Sequence, residues 1–299
     1  MPLTTITVRS FAKINLGLEV LNRRPDGYHE IRTIFQTVSL HDTLHIRRAA
    51  VGDLNFTCEP PVLSDGPENL VLRAASLLRE HFRPRWGATI SLIKRIPIGA
   101  GLGGGSSNAA VTLLALNRLW HLNLPVSALQ EPARALGADV PFFLWGGTAI
   151  GIGRGDEVYP CASVSPFHAV LIYPGTSVST RAAYTGLGRR LSSAGDAISE
   201  TRLPALCRQL ADGEFEGLFN DFESTVLLQY PEVAHAHRFL KRSHAEAILL
   251  SGSGSTVVAL YRDRHSALAS YRAATDRSYS AFLVKPVSSR RYPQAIFPR

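Results

Sequence analysis

The chain has 299 residues, 45% of them hydrophobic, which is enough to bury a full core in one large domain or two medium ones. Its net charge of +8 comes from 28 arginines and only four lysines, scattered with no basic arm and no aromatic interleaving, so a nucleic-acid partner is not expected. The chain has no run of 18 apolar residues, no charged-then-apolar pattern in MPLTTITVRSF, and three cysteines (Cys58, Cys161, Cys207) without a CxxC. Those absences argue against a membrane span, a secretory signal, a disulfide framework and a zinc site, and make a reducing cytoplasm the expected location.

Residues 4–57 alternate as strands do, in ITVRSFAKINLGLEV, IRTIFQTVSL and TLHIRR, with a turn predicted at Arg24-Pro25-Asp26-Gly27. His41 and His45 stand four apart around Asp42, but strand spacing does not bring two such rings together, so they read as surface histidines rather than metal ligands. Pro60 to Pro67 reads as a loop, Asn69 to Phe82 as a helix and Ala88 to Ile93 as a strand. A glycine-rich loop then leads into a helix running to about Trp120, with Ser106 or Ser107 as its expected cap. A second helix ends near Gly137, TAIGIGRGDEVYP reads as a hairpin, HAVLIYP as a strand and Thr201 to Ala211 as a helix. The last third alternates helix, strand AILLSGSG, strand VVALY, helix and strand AFLVKPV. This is an α+β pattern without internal repeats. Its least regular stretch is Gly186 to Glu200, and a domain boundary is expected near Val158 to Pro174.

Pro97 to Ser107, PIGAGLGGGSS, carries the most chemistry, with five glycines in eleven residues and two hydroxyls before an apolar helix. Glycine permits positive φ and close backbone approach, and a helix N-terminus offers unpaired N–H groups and a positive dipole end to an anion. Gly99, Gly101 and Gly104 satisfy GxGxxG, but no Asp or Glu occurs from Ser106 through Gln130, so the acid that a dinucleotide site needs for its ribose is missing. GxxxxGK[ST] fails as well, because Gly105 and not lysine precedes Ser106.

PIGAGLGGGSSNAA resembles instead the phosphate loop of the GHMP kinases, close to PxxxGLGSSAA. FAKINLGLEVLNRRPDGYHEIRTIFQ (Phe11 to Gln36), LGADVPFFLWGG (Leu136 to Gly147) and LSGSGSTVVALY (Leu250 to Tyr261) are similar to further motifs of that family, in its order. The opening segment is similar to the branch whose acceptor alcohol carries a cytidine diphosphate and is phosphorylated on its 2-hydroxyl in the non-mevalonate route to isoprenoid precursors. The resemblance implies a two-domain α+β GHMP kinase fold with the active site in the inter-domain cleft, here divided as residues 1–160 and 161–299. It implies ATP as co-substrate, accompanied by Mg²⁺ with no protein ligand identified, and a small-molecule acceptor bearing cytidine diphosphate. A relative acting on homoserine, mevalonate or a sugar would lack a use for RPDGYHE, and a non-catalytic nucleotide-binding protein would lack a use for Lys13 with Asp139.

By the resemblance, Asp139 is the base that takes the acceptor's proton and Lys13 steadies the phosphate and the attacking oxygen. A lysine where arginine is the default cation suits a compact ammonium. Pro97, Ile98, Gly99, Ala100, Gly101, Leu102, Gly103, Gly104, Gly105, Ser106 and Ser107 are expected to hold ATP phosphates, with Asn69 and Lys94 near the adenosine. Tyr28 and His29 are expected to face the cytosine, Tyr184 to close on it from the other side, and Asn15 to touch the substrate. Asp139, between a helix end and an apolar run, is expected at a buried edge.

Overall fold

The structure, a computed structural model, describes residues 3–188 and 202–298. Two long strands, β1 (Thr5–Arg23) and β2 (His29–Ala49), form an antiparallel hairpin running from Thr5 opposite Arg47 to Arg23 opposite His29. Gly27 closes its turn at a φ of 86°, a left-handed angle suited to glycine. Then follow β3 (Leu54–Glu59), α1 (Leu70–Phe82), β4 (Gly87–Ile93), α2 (Gly104–Leu119), a 3₁₀ turn (Val126–Leu129), α3 (Gln130–Leu136) and α4 (Phe142–Trp145). The hairpin β5 (Thr148–Ile152) and β6 (Glu157–Pro160) ends this half. The second half contains β7 (His168–Tyr173), α5 (Thr180–Leu187), α6 (Leu203–Asp212), β8 (Phe219–Asn220), α7 (Glu223–Gln229), α8 (Pro231–Leu240), β9 (Ala247–Leu250), β10 (Val257–Tyr261), α9 (Arg264–Asp276), β11 (Ser280–Val284) and α10 (Tyr292–Ile296).

One sheet runs β3-β4-β2-β1-β8, with β5 on the free stretch of β2 and β6 on β5; the other runs β11-β7-β10-β9. Strand alternation sorts the side chains into three cores. Val8, Phe11, Phe35, Leu44 and Ile46 face α1, α2, α3 and α4. Ala12, Ile14, Leu16, Ile34 and Val38 face away and meet Ala169, Leu171, Val258 and Leu260 of the second sheet. The other face of that sheet, with Val170, Ile172, Val257 and Ala259, is covered by α7, α8 and α9. The layers are therefore helices, sheet, sheet, helices, and β1 with β2 floor both halves. Residues late in the chain complete the first half: β8 pairs with β1 in parallel, and Val287, Tyr292 and Ile296 fill the first core.

Two expectations need correction. Neither Ser106 nor Ser107 caps α2: the helix starts at Gly104 after Gly103, which sits at φ 67° and makes no side-chain cap, while Ser107 Oγ accepts a hydrogen bond from Ser10 Oγ at 2.7 Å. Gly186 is helical, inside α5, and the remainder of the expected irregular stretch from residue 189 lies outside the described residues. His41 and His45 lie on β2, half-buried and exposed respectively, and His41 packs its ring on Phe11. Cys161 and Cys207, 46 positions apart in sequence, are neighbours in space, where a hydrogen bond between them and burial hold the Cys161 thiol well above its usual range.

Candidate active site

The loop Pro97–Gly103 turns on three left-handed glycines, Gly99 at φ 67°, Gly101 at 79° and Gly103 at 67°. Close packing fixes the second and third. A Cβ on Gly101 would lie 2.1 Å from the Ser251 carbonyl oxygen, and one on Gly103 would lie 2.9 Å from the Phe143 ring and 3.0 Å from the Lys13 stem. The segment after β9 clamps the loop, with Ser251 Oγ donating to Gly101 O at 2.9 Å and Thr256 N donating to Ala100 O at 3.2 Å. Ile98 and Gly99 stand outward, while Ala100 and Leu102 are buried. Within α2, Ser107 N already donates to Gly103 O, whereas the N–H groups of Gly104, Gly105 and Ser106 precede the first possible intrahelical partner. These three, with the dipole behind them, could seat an anion.

Alternation along β1 puts Lys13 and Asn15 on the face that meets this seat. Lys13 is 3% exposed, its N–H donates to Leu102 O at 3.0 Å, and its ammonium donates to Asn15 Oδ1 at 2.7 Å. Asn15 donates onward to Thr33 Oγ1 at 2.7 Å, which donates to Gly17 O at 2.7 Å, so the amide is oriented from behind. The ammonium also pairs with Asp139 Oδ2 at 3.6 Å and lies 5.6 Å from the Phe35 ring centre. Asp139 comes from the turn between α3 and α4. Its side chain is 33% exposed, so it stands at a part-exposed edge and not a buried one, in a turn where residues 137–139 are all half-buried. A Cβ on Gly252 would lie 3.2 Å from Lys13 Nζ, which brings the third motif onto the same ammonium.

Asn69 and Lys94 both have structural partners. Asn69 is the N-cap of α1, accepting at Oδ1 from Val71 N and Leu72 N and donating to Ser64 O. It borders a cavity of about 190 Å³ between α1 and α2 that Gly105 and Asn108 also line. Lys94 donates to Ile96 O and pairs with the buried Asp42 at 2.9 Å; burial lowers its pKa and Asp42 opposes that. Its ammonium sits 3.2 Å from where a Gly104 Cβ would be, at the start of α2 but outside the cavity lining.

Tyr28, His29 and Tyr184 line a wider cavity of about 810 Å³ at the hairpin turn, together with Arg154, Thr180 and Arg181. The rings of His29 and Tyr184 stack at 4.6 Å and 19°, and Tyr184 meets Phe222 edge-on. Tyr28 is 57% exposed, with the Arg154 guanidinium 5.0 Å from its ring centre. Burial and then the charge of Asp139 push the Tyr184 hydroxyl up to about 12, which ties this cavity electrostatically to the Lys13–Asp139 pair. Burial and Arg23 lower the His29 pKa, favouring a neutral imidazole that can both donate and accept.

Several residues at the site escape sequence reasoning. Arg154 lies on a hairpin turn whose spacing gives no hint that it crosses to Tyr28. Thr180, bonded to Ser253 Oγ at 3.1 Å, looks like an ordinary first helical residue. Asn220, which donates to Leu250 O and Gly252 O and so shapes the third motif, sits in a two-residue strand too short to read.

The chain matches the family GHMP kinases N terminal domain over residues 69–147 and GHMP kinases C terminal over residues 203–280. It is 44% identical over 261 residues to the 4-diphosphocytidyl-2-C-methyl-D-erythritol kinase of Solibacter usitatus, covering 87% of this chain and 82% of that one. It is 41% identical over 269 residues to the protein of the same name from Pelotomaculum thermopropionicum, covering 88% and 91%. A crystal structure of a 4-(cytidine 5'-diphospho)-2C-methyl-D-erythritol kinase superposes with a TM-score of 0.80 at 36% identity, over 94% of this chain and 99% of that one.

Proposed function

We infer that this chain, which belongs to the 4-diphosphocytidyl-2-C-methyl-D-erythritol kinases of the GHMP kinase family, phosphorylates the 2-hydroxyl of that cytidine-bearing alcohol with ATP, a step in the non-mevalonate isoprenoid route. The observation that carries the reading is the pairing of the Lys13 ammonium with Asp139 at 3.6 Å, on a residue whose backbone N–H is bonded to the glycine loop. Phosphoryl transfer asks for positioning and charge neutralisation more than covalent chemistry, and this arrangement sets a cation and a base beside an anion seat.

The reading assigns the roles as follows. The N–H groups of Gly104, Gly105 and Ser106, in the segment from Pro97 to Ser107, hold the β- and γ-phosphates, and Asn69 borders the adenosine. Lys94 acts behind them, buttressing the start of α2. Asp139 takes the proton of the 2-hydroxyl as the oxygen attacks. Lys13 neutralises charge on the moving phosphoryl group, where its effect is largest in the transition state. Asn15 orients Lys13 and touches the acceptor. Tyr28 and His29 hold the cytosine, and Tyr184 moves from its stack on His29 to lie on the base. Mg²⁺ would accompany ATP, with oxygen ligands supplied mostly by the nucleotide and water; of this chain's groups, the part-exposed Asp139 carboxylate could complete them. We set the division of the two halves near residue 160, with the two family matches falling on either side. No helix among the described residues is long and apolar enough to cross a membrane, and the cysteines are free, in keeping with a cytoplasmic reaction.

The test is ADP release measured across a panel of acceptors: the cytidine-bearing alcohol, homoserine, mevalonate and galactose. Turnover confined to the first supports the assignment. Turnover of one of the others, with no response to the first, would leave a kinase with a different acceptor.

A further inference from the structure

A further cavity, of about 640 Å³, opens between α8 and α9, the helices that cover the outer face of the second sheet. It lies away from the glycine loop: His244, in its wall, precedes β9, whereas Ser251, which clamps the loop, follows that strand. Helix α8 contributes Arg238, the turn after α8 adds Arg242, and the turn after α9 adds Arg277 from the other side. His235, His244 and His265 stand around them, and no carboxylate lines the cavity. None of the three guanidiniums pairs with a carboxylate among the described residues. Asp263, the acid nearest to His265 along the chain, is committed to capping α9, where it accepts from Ser266 N at 2.8 Å.

The cavity is shaped as well as charged. The Arg277 guanidinium lies 5.0 Å from the centre of the Phe239 ring, which in turn meets Tyr279 at 5.4 Å, so this cation is held by an aromatic pair. The α9 wall carries small side chains at helical spacing, Ser266, Ala269, Ser270 and Ala273, which leave the space between the helices unfilled. Ser270 is 6% exposed, and its hydroxyl has no hydrogen-bond partner among the described residues. A buried hydroxyl without a partner carries a desolvation cost that an acceptor on a ligand would offset. Arginine forks bind phosphate oxygens through paired hydrogen bonds. A single phosphate ester carries about −1.5 to −2 charge at neutral pH, less than three unneutralised guanidiniums balance. The volume falls within the range of small-molecule sites.

We propose that the cavity between α8 and α9 binds a small anion carrying two or more phosphate groups, at a site separate from those for ATP and the acceptor. The proposal does not depend on which acceptor the enzyme uses. Its test is calorimetric titration of inorganic diphosphate into the full chain, repeated on Arg238→Gln/Arg242→Gln, on Ser270→Ala and on the distant surface pair Arg83→Gln/Arg85→Gln. The wild type should bind diphosphate, and Arg238→Gln/Arg242→Gln should bind it at least about 10-fold more weakly, having lost two charge-assisted contacts. Ser270→Ala should weaken it by about threefold or more, and Arg83→Gln/Arg85→Gln should bind as the wild type does. Thermal midpoints should match the wild type throughout, because none of these side chains gives up a carboxylate partner. Ser270→Ala carries the test alone if the double arginine variant does not fold. Equal affinity in the wild type, Arg238→Gln/Arg242→Gln and Ser270→Ala overturns the proposal, since the ion would then sit elsewhere, as on the glycine loop. An equal loss in Arg83→Gln/Arg85→Gln overturns it too, because net charge alone would account for the binding. So does a wild type that ignores diphosphate, even where an acidic peptide or an oligonucleotide binds through the same arginines.

Discussion

The Lys13 ammonium donates to Asn15 at 2.7 Å, pairs with Asp139 at 3.6 Å and lies 5.6 Å from the centre of the Phe35 ring. A side chain this buried and this directed is costly to hold charged unless the charge is used. Lys13→Ala should therefore lower kcat more than it raises the KM for either substrate, since the charge matters most as the phosphoryl group moves. Steady-state kinetics would check this, and a change confined to KM would make Lys13 a binding residue. Tyr28 is the opposite kind of residue, an exposed ring with Arg154 on one face. If it stacks on cytosine, Tyr28→Ala should cost about 1–3 kcal/mol of acceptor binding while ATP affinity holds. Titration with each ligand separates the two effects, and an equal loss for both would count against the stack.

At the scale of elements, neighbouring glycines of the glycine loop and α2 differ in how tightly they are packed. Gly101 has a φ of 79° and no room, with the Ser251 carbonyl 2.1 Å from a Cβ position; Gly105 is helical, with Leu70 no closer than 3.5 Å. Gly101→Ala should destabilise the apo protein by more than about 1 kcal/mol, and Gly105→Ala should stabilise it by about 0.5–1 kcal/mol. Denaturant unfolding without nucleotide tests the pair, and equal effects would contradict the packing account. The same loop marks how far sequence reading reaches. The turns of the loop and the helix after it were legible because glycine chemistry and helix ends are local, as were the β1–β2 hairpin and most of the longer elements, while β3, α4, α5, β8 and α10 were not. The partner that clamps the loop was not. Ser251 Oγ reaches Gly101 O across 150 positions, a contact that leaves no period or spacing to detect. The cap of α2 was misread for a related reason: Ser107 is bonded to Ser10, 97 positions away, which no local rule anticipates.

For the whole molecule, the two halves are not independent along the chain. The C-terminal segment returns to close the first core, with Tyr292 buried, its hydroxyl donating to Phe143 O at 2.7 Å and its ring filling the space where a Gly146 Cβ would lie 2.3 Å away. Phe143 in turn packs against Gly103, so the last helix supports the glycine loop from behind. Tyr292→Ala should cost about 3–5 kcal/mol by equilibrium unfolding, the range for emptying a buried aromatic site; a cost under about 1 kcal/mol would mean that the last helix is peripheral. The central claim is that the folded cleft brings nucleotide and acceptor together around one base. Its most direct test compares wild type and Asp139→Asn for ADP release with the cytidine-bearing alcohol, alongside binding of each substrate. The account predicts that both substrates still bind and that turnover falls by roughly 10² to 10⁴. Near-normal turnover in Asp139→Asn would contradict it.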